Sequence, residues 1–235
     1  MKIDTFFKKA FYINLDDRPD RKEQFEREVG QYGLTDFIER YSACVPKIDD
    51  VGNDFELLGY RRLGGCGRSH LNVVRYAKDN NLDNILIFED DATFYNGGDV
   101  SAIAIIENSL DTLSRTPDWD VYYMGGIIRD ELIYKPFGNL IKVDKILTTH
   151  AWAINSKCYD RILSYRPGDG YTEDFDSPID GYIGNNMGLN KYLAYPLAVY
   201  QRENVLSDCA HNGNEFVITG NVEPWLSNYN KDIRE

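Results

Sequence analysis

The sequence predicts an α/β fold in which a central sheet with parallel strands is flanked by helices. Strand-like apolar runs alternate with helix-like patterns along the chain, which is the order that strand–helix–strand units produce. The chain has 235 residues, of which 43% are hydrophobic, so it can bury one large core. It contains no internal repeat and no low-complexity tract. We therefore expect a single domain over residues 1–235.

The first quarter of the chain predicts two strands joined by a helix. Residues 10–15 are apolar and predict a buried first strand, followed by a polar turn over 16–20. Phe25 and Val29 fall on one face of the next segment, which predicts an amphipathic helix over about 19–32. Residues 37–43 predict the second strand.

The next elements lead to the clearest strand of the sequence. A polar loop through Gly59 and the glycine-rich segment 64–67 precede a predicted helix that carries Ser69 and His70. Residues 84–88 are uniformly apolar apart from the first, which predicts a buried strand. A helix over 100–113 and a strand over 119–124 complete a first half, about 10–125, that is typical of nucleotide binding.

The second half, about 126–235, is less regular. We expect a hairpin within 127–147, a short strand over 151–154, and a helix capped by Ser156 that ends near residue 165. A polar loop over 168–177 should precede a short helix opened by residues 178–180. The last 35 residues show little periodicity and are expected to wrap around the domain.

Composition excludes several classes of function. The formal net charge of -12 disfavours nucleic acid and anionic membranes as partners. The four cysteines form no CxxC pair and are expected to be free thiols. No apolar run approaches the roughly 20 residues of a membrane helix, and the N-terminus does not have the apolar run of a signal peptide. We therefore expect a cytoplasmic protein.

Three consecutive carboxylates, Glu89, Asp90 and Asp91, follow the strand over 84–88. Their repulsion is unfavourable unless a cation offsets it. Glu89 and Asp91 are two residues apart and could share a divalent ion, leaving Asp90 for a second ligand or a ribose. Mg²⁺ and Mn²⁺ are usually held by such carboxylates together with substrate phosphates. A solvated acidic turn is the alternative interpretation.

A second polar cluster follows the first predicted strand. Asn14, Asp16, Arg18 and Arg21 lie at the same expected edge of the sheet. Arginine binds phosphate as a planar fork, and asparagine or aspartate can bond a base or ribose. Salt bridges along the first helix are the alternative. Ligands of open α/β sheets bind at this edge, beyond the carboxyl ends of the strands.

The order of these motifs resembles glycosyltransferase family 25, which includes lipopolysaccharide galactosyltransferases and collagen hydroxylysine galactosyltransferases. The similarity covers roughly residues 10 to 210, while residues 127–147 and the tail beyond Asn212 match no family motif. The matching segments are 12–21, 63–71 (which contains Cys66, Ser69 and His70), 85–91, 119–125, 150–153, 178–180, and Gln201 with Ser207 and Asp208.

The resemblance implies a GT-A type fold and an inverting transfer of galactose or glucose from a UDP-sugar to a glycan or another hydroxyl-bearing acceptor. It implies Mn²⁺ or Mg²⁺ as cofactor, with Glu89, Asp91 and His211 as metal ligands and Asp180 as general base. The residues expected to bind the donor are Asn14, Leu15, Asp16, Arg18, Arg21, Ser69, His70 and Asp90.

Some of these roles have competing interpretations. His70 and His150 could bond phosphate or acceptor, although an isolated histidine is more often structural. Cys66 and His70 are four residues apart, but without a second such pair the sequence does not predict zinc. Asp180 could instead cap the short helix over which it lies.

Three other functions compete with the transferase. Residues 89–93 mimic the Asp-x-Asp-x-Thr strand end of haloacid-dehalogenase phosphatases, but glutamate stands where that chemistry needs a nucleophilic aspartate. A sugar-nucleotide pyrophosphorylase should have a glycine-rich first turn, whereas residues 16–19 are Asp-Asp-Arg-Pro. A non-catalytic relative that only binds nucleotide sugars stays open.

Overall fold

The computed structural model describes residues 1–45, 55–97, 100–129, 136–166, 178–185 and 188–202, and of residues 55–60 only the backbone. His211, Ser207, Asp208, Cys209 and the predicted loop over 168–177 lie outside the described residues, as does most of the predicted wrapping tail.

Helices and strands alternate through the first half as the sequence predicts. The helices are α1 Ile3–Phe6, α2 Pro19–Gly30, α3 Phe55–Asp79, α4 Ala102–Leu113, α5 Tyr159–Leu163 and α6 Ile179–Gly184, with a 3₁₀ turn over Ser156–Cys158. The strands are β1 Ala10–Asn14, β2 Ile38–Ser42, β3 Asn84–Glu89, β4 Ala92–Phe94, β5 Val121–Tyr123, β6 Ile127–Ile128, β7 Leu140–Val143, β8 Ile146–Leu147, β9 Ala151–Asn155, β10 Lys191–Ala194 and β11 Val199–Gln201.

Seven strands form one mixed sheet in the order β2-β1-β3-β9-β5-β10-β7. The prediction of an α/β fold with a flanked central sheet is confirmed, but the expectation of parallel strands is only partly right, because β9 and β7 run antiparallel to their neighbours. The connection between β5 and β9 contains β7, the last strand at one edge of the same sheet. The short β6–β8 pair lies in this connection, where a hairpin is predicted.

Helices cover both faces of this sheet. Phe25 and Val29 of α2 pack on one face together with α4, as the sequence predicts for these two side chains. Val73 and Val74 of α3 pack on the other face together with α5 and α6. Most side chains of β1 and β3 are therefore buried, and their polar residues are concentrated where the two strands end.

Helix α3 runs without a break through the glycine-rich segment 64–67, which the sequence predicts to precede the helix. A Cβ at Gly67 would lie 2.8 Å from the Tyr165 ring, so this glycine allows α5 to pack closely on α3. Packing of this kind overrides the low helix propensity of glycine. None of the described helices combines the length and hydrophobicity needed to cross a bilayer.

The turn before α5 is capped one residue earlier than the sequence predicts. Asn155, not Ser156, occupies the N-cap position, and its side chain accepts a hydrogen bond from Lys157 N at 3.2 Å. Asparagine is at least as good an N-cap as serine, which explains why the start shifts by one residue.

Candidate active site at the carboxyl ends of β1 and β3

A pocket of about 230 Å³ opens where the parallel neighbours β1 and β3 end. The structure therefore brings the Asp16 turn and the carboxylate cluster to one edge of the sheet. The lining residues that are partly or fully exposed are Leu15, Asp17, Arg18, Ala43, Cys44, Val45, Arg62, Cys66 and Glu89. Buried side chains form its back wall, and these are Ile13, Asn14, Arg21, Ser69, His70 and Asp90.

Asp90 is held by two buried partners at the back of the pocket. Asn14 Nδ2 donates to its Oδ2 at 2.7 Å, and Arg21 Nη1 donates to its Oδ1 at 3.0 Å. Burial raises the pKa of Asp90, and Arg21 and Asn14 offset part of this shift. The side chains of Arg21 and Asp90 are only 6% and 9% exposed. This ion pair therefore fixes α2 to the end of β3.

Asp16 lies outside the pocket lining. Arg40 Nη2 donates to its Oδ1 at 2.5 Å, and the Ser42 hydroxyl donates to the same carboxylate at 2.9 Å. Arg40 Nε also donates to Asn14 Oδ1 at 2.8 Å. These hydrogen bonds, the one from Arg40 first, hold the pKa of Asp16 below its usual value. In this structure Asp16 ties the ends of β1 and β2 together.

Ser69 connects α3 to the segment that follows β2. Its hydroxyl donates to Gly65 O at 2.8 Å and accepts from Cys44 N at 2.8 Å. Its exposed fraction is 1%, and the hydroxyl acts both as donor and as acceptor toward protein groups. Ser69 thus fixes the side of the pocket formed by residues 43–45.

Glu89 is the carboxylate that faces the pocket. Its Oε1 accepts from Thr149 Oγ1 at 2.7 Å and lies 3.3 Å from His70 Nε2. Burial acts to raise the pKa of Glu89, but the hydrogen bonds from His70 and Thr149 outweigh it and hold that pKa below its usual value. The side chain is 23% exposed, and Oε2 has no hydrogen-bond partner among the described residues. One oxygen is thus available to a ligand.

Asp91 is a buried carboxyl group whose Oδ1 has no hydrogen-bond partner within the described part of the chain. Burial, together with the charges of Glu89 and Asp90, raises its pKa to about 7. A buried polar atom without a partner is unfavourable and uncommon, and it suggests a ligand or ion. Asp91 does not line the pocket itself.

Asp180 lies beside a strained corner between β8 and β9. Thr148 has a φ of 78°, which is unfavourable for a β-branched residue. Its backbone N donates to Asp180 Oδ2 at 3.2 Å, while Gly181 N donates to Asp180 Oδ1 at 2.7 Å. The next residue, Thr149, bonds Glu89. The corner therefore joins Asp180 to the pocket carboxylate, although Asp180 does not line the pocket.

His150 is buried beside this corner. Its Nε2 lies 3.2 Å from Val199 O, and Nδ1 has no partner among the described residues. Burial lowers its pKa, which favours the neutral form of the ring. A Cβ at Gly125 would lie 2.8 Å from His150 Nε2 and 1.7 Å from Val199 O. Glycine is therefore required at position 125 for this contact.

The described residues contain one group of three potential metal ligands within 4.8 Å of one another, formed by Cys66, His70 and Glu89. Glu89, Asp90 and Asp91 do not meet this criterion as a trio. The predicted ligand His211 lies outside the described residues. Glu89 and Asp91 still fit a hard cation held by one or two carboxylates plus phosphate oxygens, because Asp91 Oδ1 has no hydrogen-bond partner in the described structure and the Glu89 side chain is partly exposed in the pocket.

Several residues of the site escape the sequence prediction. Arg62 and Cys66 follow from the continuous helix α3, because positions 62, 66 and 69 fall on one helical face. The sequence already places Cys66 four residues before His70, whereas Arg62 falls in a segment that is not predicted to be helical. Thr149 donates to Glu89 and Trp152 donates to His70 only through tertiary contacts, which no local pattern reveals.

Comparison with known proteins does not assign a family. No protein-family model matches the chain. Solved structures with a similar fold include a UDP-glucose pyrophosphorylase complexed with UDP-glucose (9% identity, 96% of this chain and 81% of that chain, TM-score 0.46). They also include A197 from STIV (10% identity, 85% and 86%, TM-score 0.45) and a glycosyltransferase involved in the glycosylation of the major capsid of PBCV-1 (10% identity, 80% and 81%, TM-score 0.40). At these values the similarities assign neither an activity nor a substrate.

Proposed function

We propose that the chain is a metal-dependent glycosyltransferase that transfers a hexose from a nucleotide diphosphate sugar. The observation that supports this most directly is the pocket at the ends of β1 and β3, which is lined by Arg18 and Arg62 as well as by Glu89. A diphosphate with a bound divalent cation needs both kinds of group. The edge of the sheet is also where α/β proteins bind nucleotides.

Arg18 and Arg62 would contact the diphosphate. Arg18 is partly exposed at the pocket and forms a two-bond pair with Asp20, at 2.9 and 3.0 Å. This pair lowers the pKa of Asp20 to about 2. An ion pair at the surface contributes little to stability, so this pair does not prevent Arg18 from turning toward a phosphate. Arg21 has a different role, because its side chain holds Asp90.

Glu89 and Asp91 would hold Mn²⁺ or Mg²⁺ at the diphosphate. When bound, the cation neutralises the charge that develops on the leaving nucleotide diphosphate. Glu89 offers Oε2 because Thr149 and His70 occupy Oε1. Asp91 offers a buried oxygen whose repulsion by Glu89 and Asp90 a cation would relieve. His211 completes this proposed ligand set.

Asp180 would accept the proton of the attacking acceptor hydroxyl. An inverting transfer needs one base on the side of the sugar opposite the leaving phosphate. Thr148 and Gly181 hold the Asp180 carboxylate through their backbone N–H groups. Thr149, which follows Thr148 in the chain, donates a hydrogen bond to Glu89. The acceptor, a glycan or another hydroxyl-bearing molecule, would then bind on the side of the site where Asp180 lies. UDP-galactose or UDP-glucose is the proposed donor, from the resemblance to glycosyltransferase family 25.

Replacing Arg18 or Arg62 by alanine should weaken binding of UDP in the presence of Mn²⁺. A charge-assisted hydrogen bond contributes about 1.5–3 kcal/mol, so each change should lower affinity roughly tenfold or more. Arg18→Ala should leave the melting temperature close to that of the wild type, since its partner Asp20 is exposed. Calorimetry with UDP measures the affinities.

The matched control is Arg27→Ala, which removes an exposed arginine of the same helix α2 that pairs with Glu23. It should bind UDP like the wild type. If Arg18→Ala and Arg62→Ala also bind like the wild type, the guanidinium groups do not contact the diphosphate, and the proposed orientation of the donor is wrong.

A further inference from the structure

Glu89 ends a chain of hydrogen bonds that begins in the core. Trp152 is fully buried, and its Nε1 donates to His70 Nδ1 at 3.2 Å. The other ring nitrogen, Nε2, faces Glu89 Oε1. An indole N–H can only donate, so Nδ1 must accept and therefore carries no proton. The proton of the neutral ring is then on Nε2, from which it is donated to Glu89.

This arrangement matters because Cys66 adds a thiol to the same group. Its sulfur, a ring nitrogen of His70 and a carboxylate oxygen of Glu89 lie within 4.8 Å of one another. Cysteine, histidine and glutamate are ligands that zinc accepts, with three of them sufficient for a site that keeps an open position. By ligand type alone, this would be a site for a soft transition metal.

The hydrogen bond from Trp152 opposes such a site. A histidine that binds metal through Nε2 normally carries its proton on Nδ1 and donates it to a carboxylate or carbonyl oxygen. Here Nδ1 faces a second donor, the indole N–H, so a proton on Nδ1 would place two donors against each other in the core. Binding through Nδ1 instead would require the metal to displace Trp152, which is packed among core residues.

We propose that Trp152 locks His70 in the Nε2–H tautomer, and that this lock excludes soft transition metals from the Cys66–His70–Glu89 group while it reserves Glu89 for a hard cation. Trp152 and His70 are then positioning residues that determine metal selectivity. His70 in this tautomer and Thr149 both donate hydrogen bonds to Glu89 Oε1, so Oε2 is the oxygen available in the pocket. The hard-cation part rests on the proposed function, whereas the tautomer and the exclusion do not.

The tautomer can be measured directly in the wild-type full chain. With ¹⁵N-labelled histidine, two-dimensional ¹H–¹⁵N spectra at neutral pH distinguish a protonated ring nitrogen from an unprotonated one. The spectrum of His70→Gln identifies the His70 signals among the three histidines of the chain. We expect Nδ1 without a proton and Nε2 with one. A proton on Nδ1, alone or in a doubly protonated ring, overturns the proposal.

The exclusion can be measured with Co²⁺ alone, because cobalt bound by a thiolate shows an intense charge-transfer absorption. Only absorption that Cys66→Ser removes is assigned to this group, since other cysteines could also bind. The wild type should show none. Trp152→Phe, which keeps an aromatic ring but removes the N–H, should gain this absorption, and Trp152→Phe with Cys66→Ser should lose it again.

Two results contradict the exclusion. One is Cys66-dependent cobalt absorption in the wild type, and the other is a folded Trp152→Phe variant that shows none. Circular dichroism establishes whether Trp152→Phe is folded, and if it is not, the spectra of the wild type decide the question alone. None of these measurements uses sugar transfer, so failure of the lock is distinguishable from failure of the proposed function.

Discussion

Asp91→Asn is expected to abolish metal-dependent nucleotide binding and to stabilise the metal-free protein. Asp91 is buried, and its Oδ1 has no partner among the described residues. Removing the charge removes a proposed metal ligand, which should weaken binding of UDP with Mn²⁺ by about 100-fold or more. Calorimetry measures this loss, and thermal unfolding in a chelator measures the gain in stability.

The gain in stability should depend on pH. The pKa of Asp91 is raised from 3.8 to about 7 in the folded protein, so between these values the folded state binds more protons than the unfolded state. Stability therefore falls as pH rises through this window, and the full penalty is present above about pH 7. A shift of this size corresponds to at most about 4 kcal/mol. Asp91→Asn should remove the penalty, so its advantage should be largest above pH 7 and small near pH 4.

Asp111→Asn is the matched control, because it makes the same change in charge at an exposed residue that pairs with Arg115. It should not change UDP affinity. Because the hydrogen bond from Arg115 lowers the pKa of Asp111, its effect on the pH dependence of unfolding should appear only at acid pH and not near pH 7. If Asp91→Asn binds UDP with Mn²⁺ as the wild type does, Asp91 is not a metal ligand. If the variant is less stable than the wild type at alkaline pH, the buried carboxyl has a partner and the account of its pKa is wrong.

Asp180→Asn is expected to lower the rate of sugar transfer by about 10²–10⁴-fold while UDP affinity stays near that of the wild type, because a general base contributes about this much. The variant should also be somewhat less stable. Both Asp180 oxygens accept backbone hydrogen bonds, from Thr148 and Gly181, and an amide nitrogen cannot accept one. Losing one such bond costs about 1 kcal/mol.

The control variant Ile146→Val separates the loss of the catalytic base from the loss of stability. Ile146 lies on β8 and is fully buried, and its Cδ1 lies against Gly126, so loss of this methyl group should destabilise the protein by about 1 kcal/mol while the Asp180 carboxylate is kept. It should transfer sugar nearly as fast as the wild type. If Asp180→Asn also transfers within a few-fold of the wild type, Asp180 only holds the backbone of Thr148 and Gly181, since Pro178 and not Asp180 is the N-cap of α6. The base should then be sought among Glu173, Asp174 and Asp176.

The main strands could be predicted because each is a dense apolar run between polar residues. Residues 10–15 and 84–88 predict β1 and β3 almost to the residue. Helix α3 could not be delimited, because glycines in 64–67 indicate a loop locally, whereas close contact with Tyr165 favours a glycine at position 67 inside the helix. The antiparallel course of β9 likewise depends on its neighbours β3 and β5 and not on its own residues.

The position of the candidate site could also be predicted, but the roles of its residues could not. Asn14 and Asp90 are polar residues at strand ends, and Arg21 lies in the helix that follows β1, which favours ligand contacts. In the structure they bond one another across 69 and 76 positions of sequence. Whether a buried polar group faces a ligand or a protein partner depends on tertiary contacts, and a single sequence does not contain them.

The central claim, that the pocket binds a nucleotide sugar through a divalent cation and turns it over, is tested most directly with a panel of nucleotide sugars. Binding is measured by calorimetry with Mn²⁺ and with a chelator, and slow hydrolysis is followed in the same samples. We predict that one UDP-sugar is preferred, that it binds only with the metal, and that it is hydrolysed. Binding without turnover would indicate a non-catalytic relative. Equal affinity in the chelator, or no binding of any nucleotide sugar, would contradict the account.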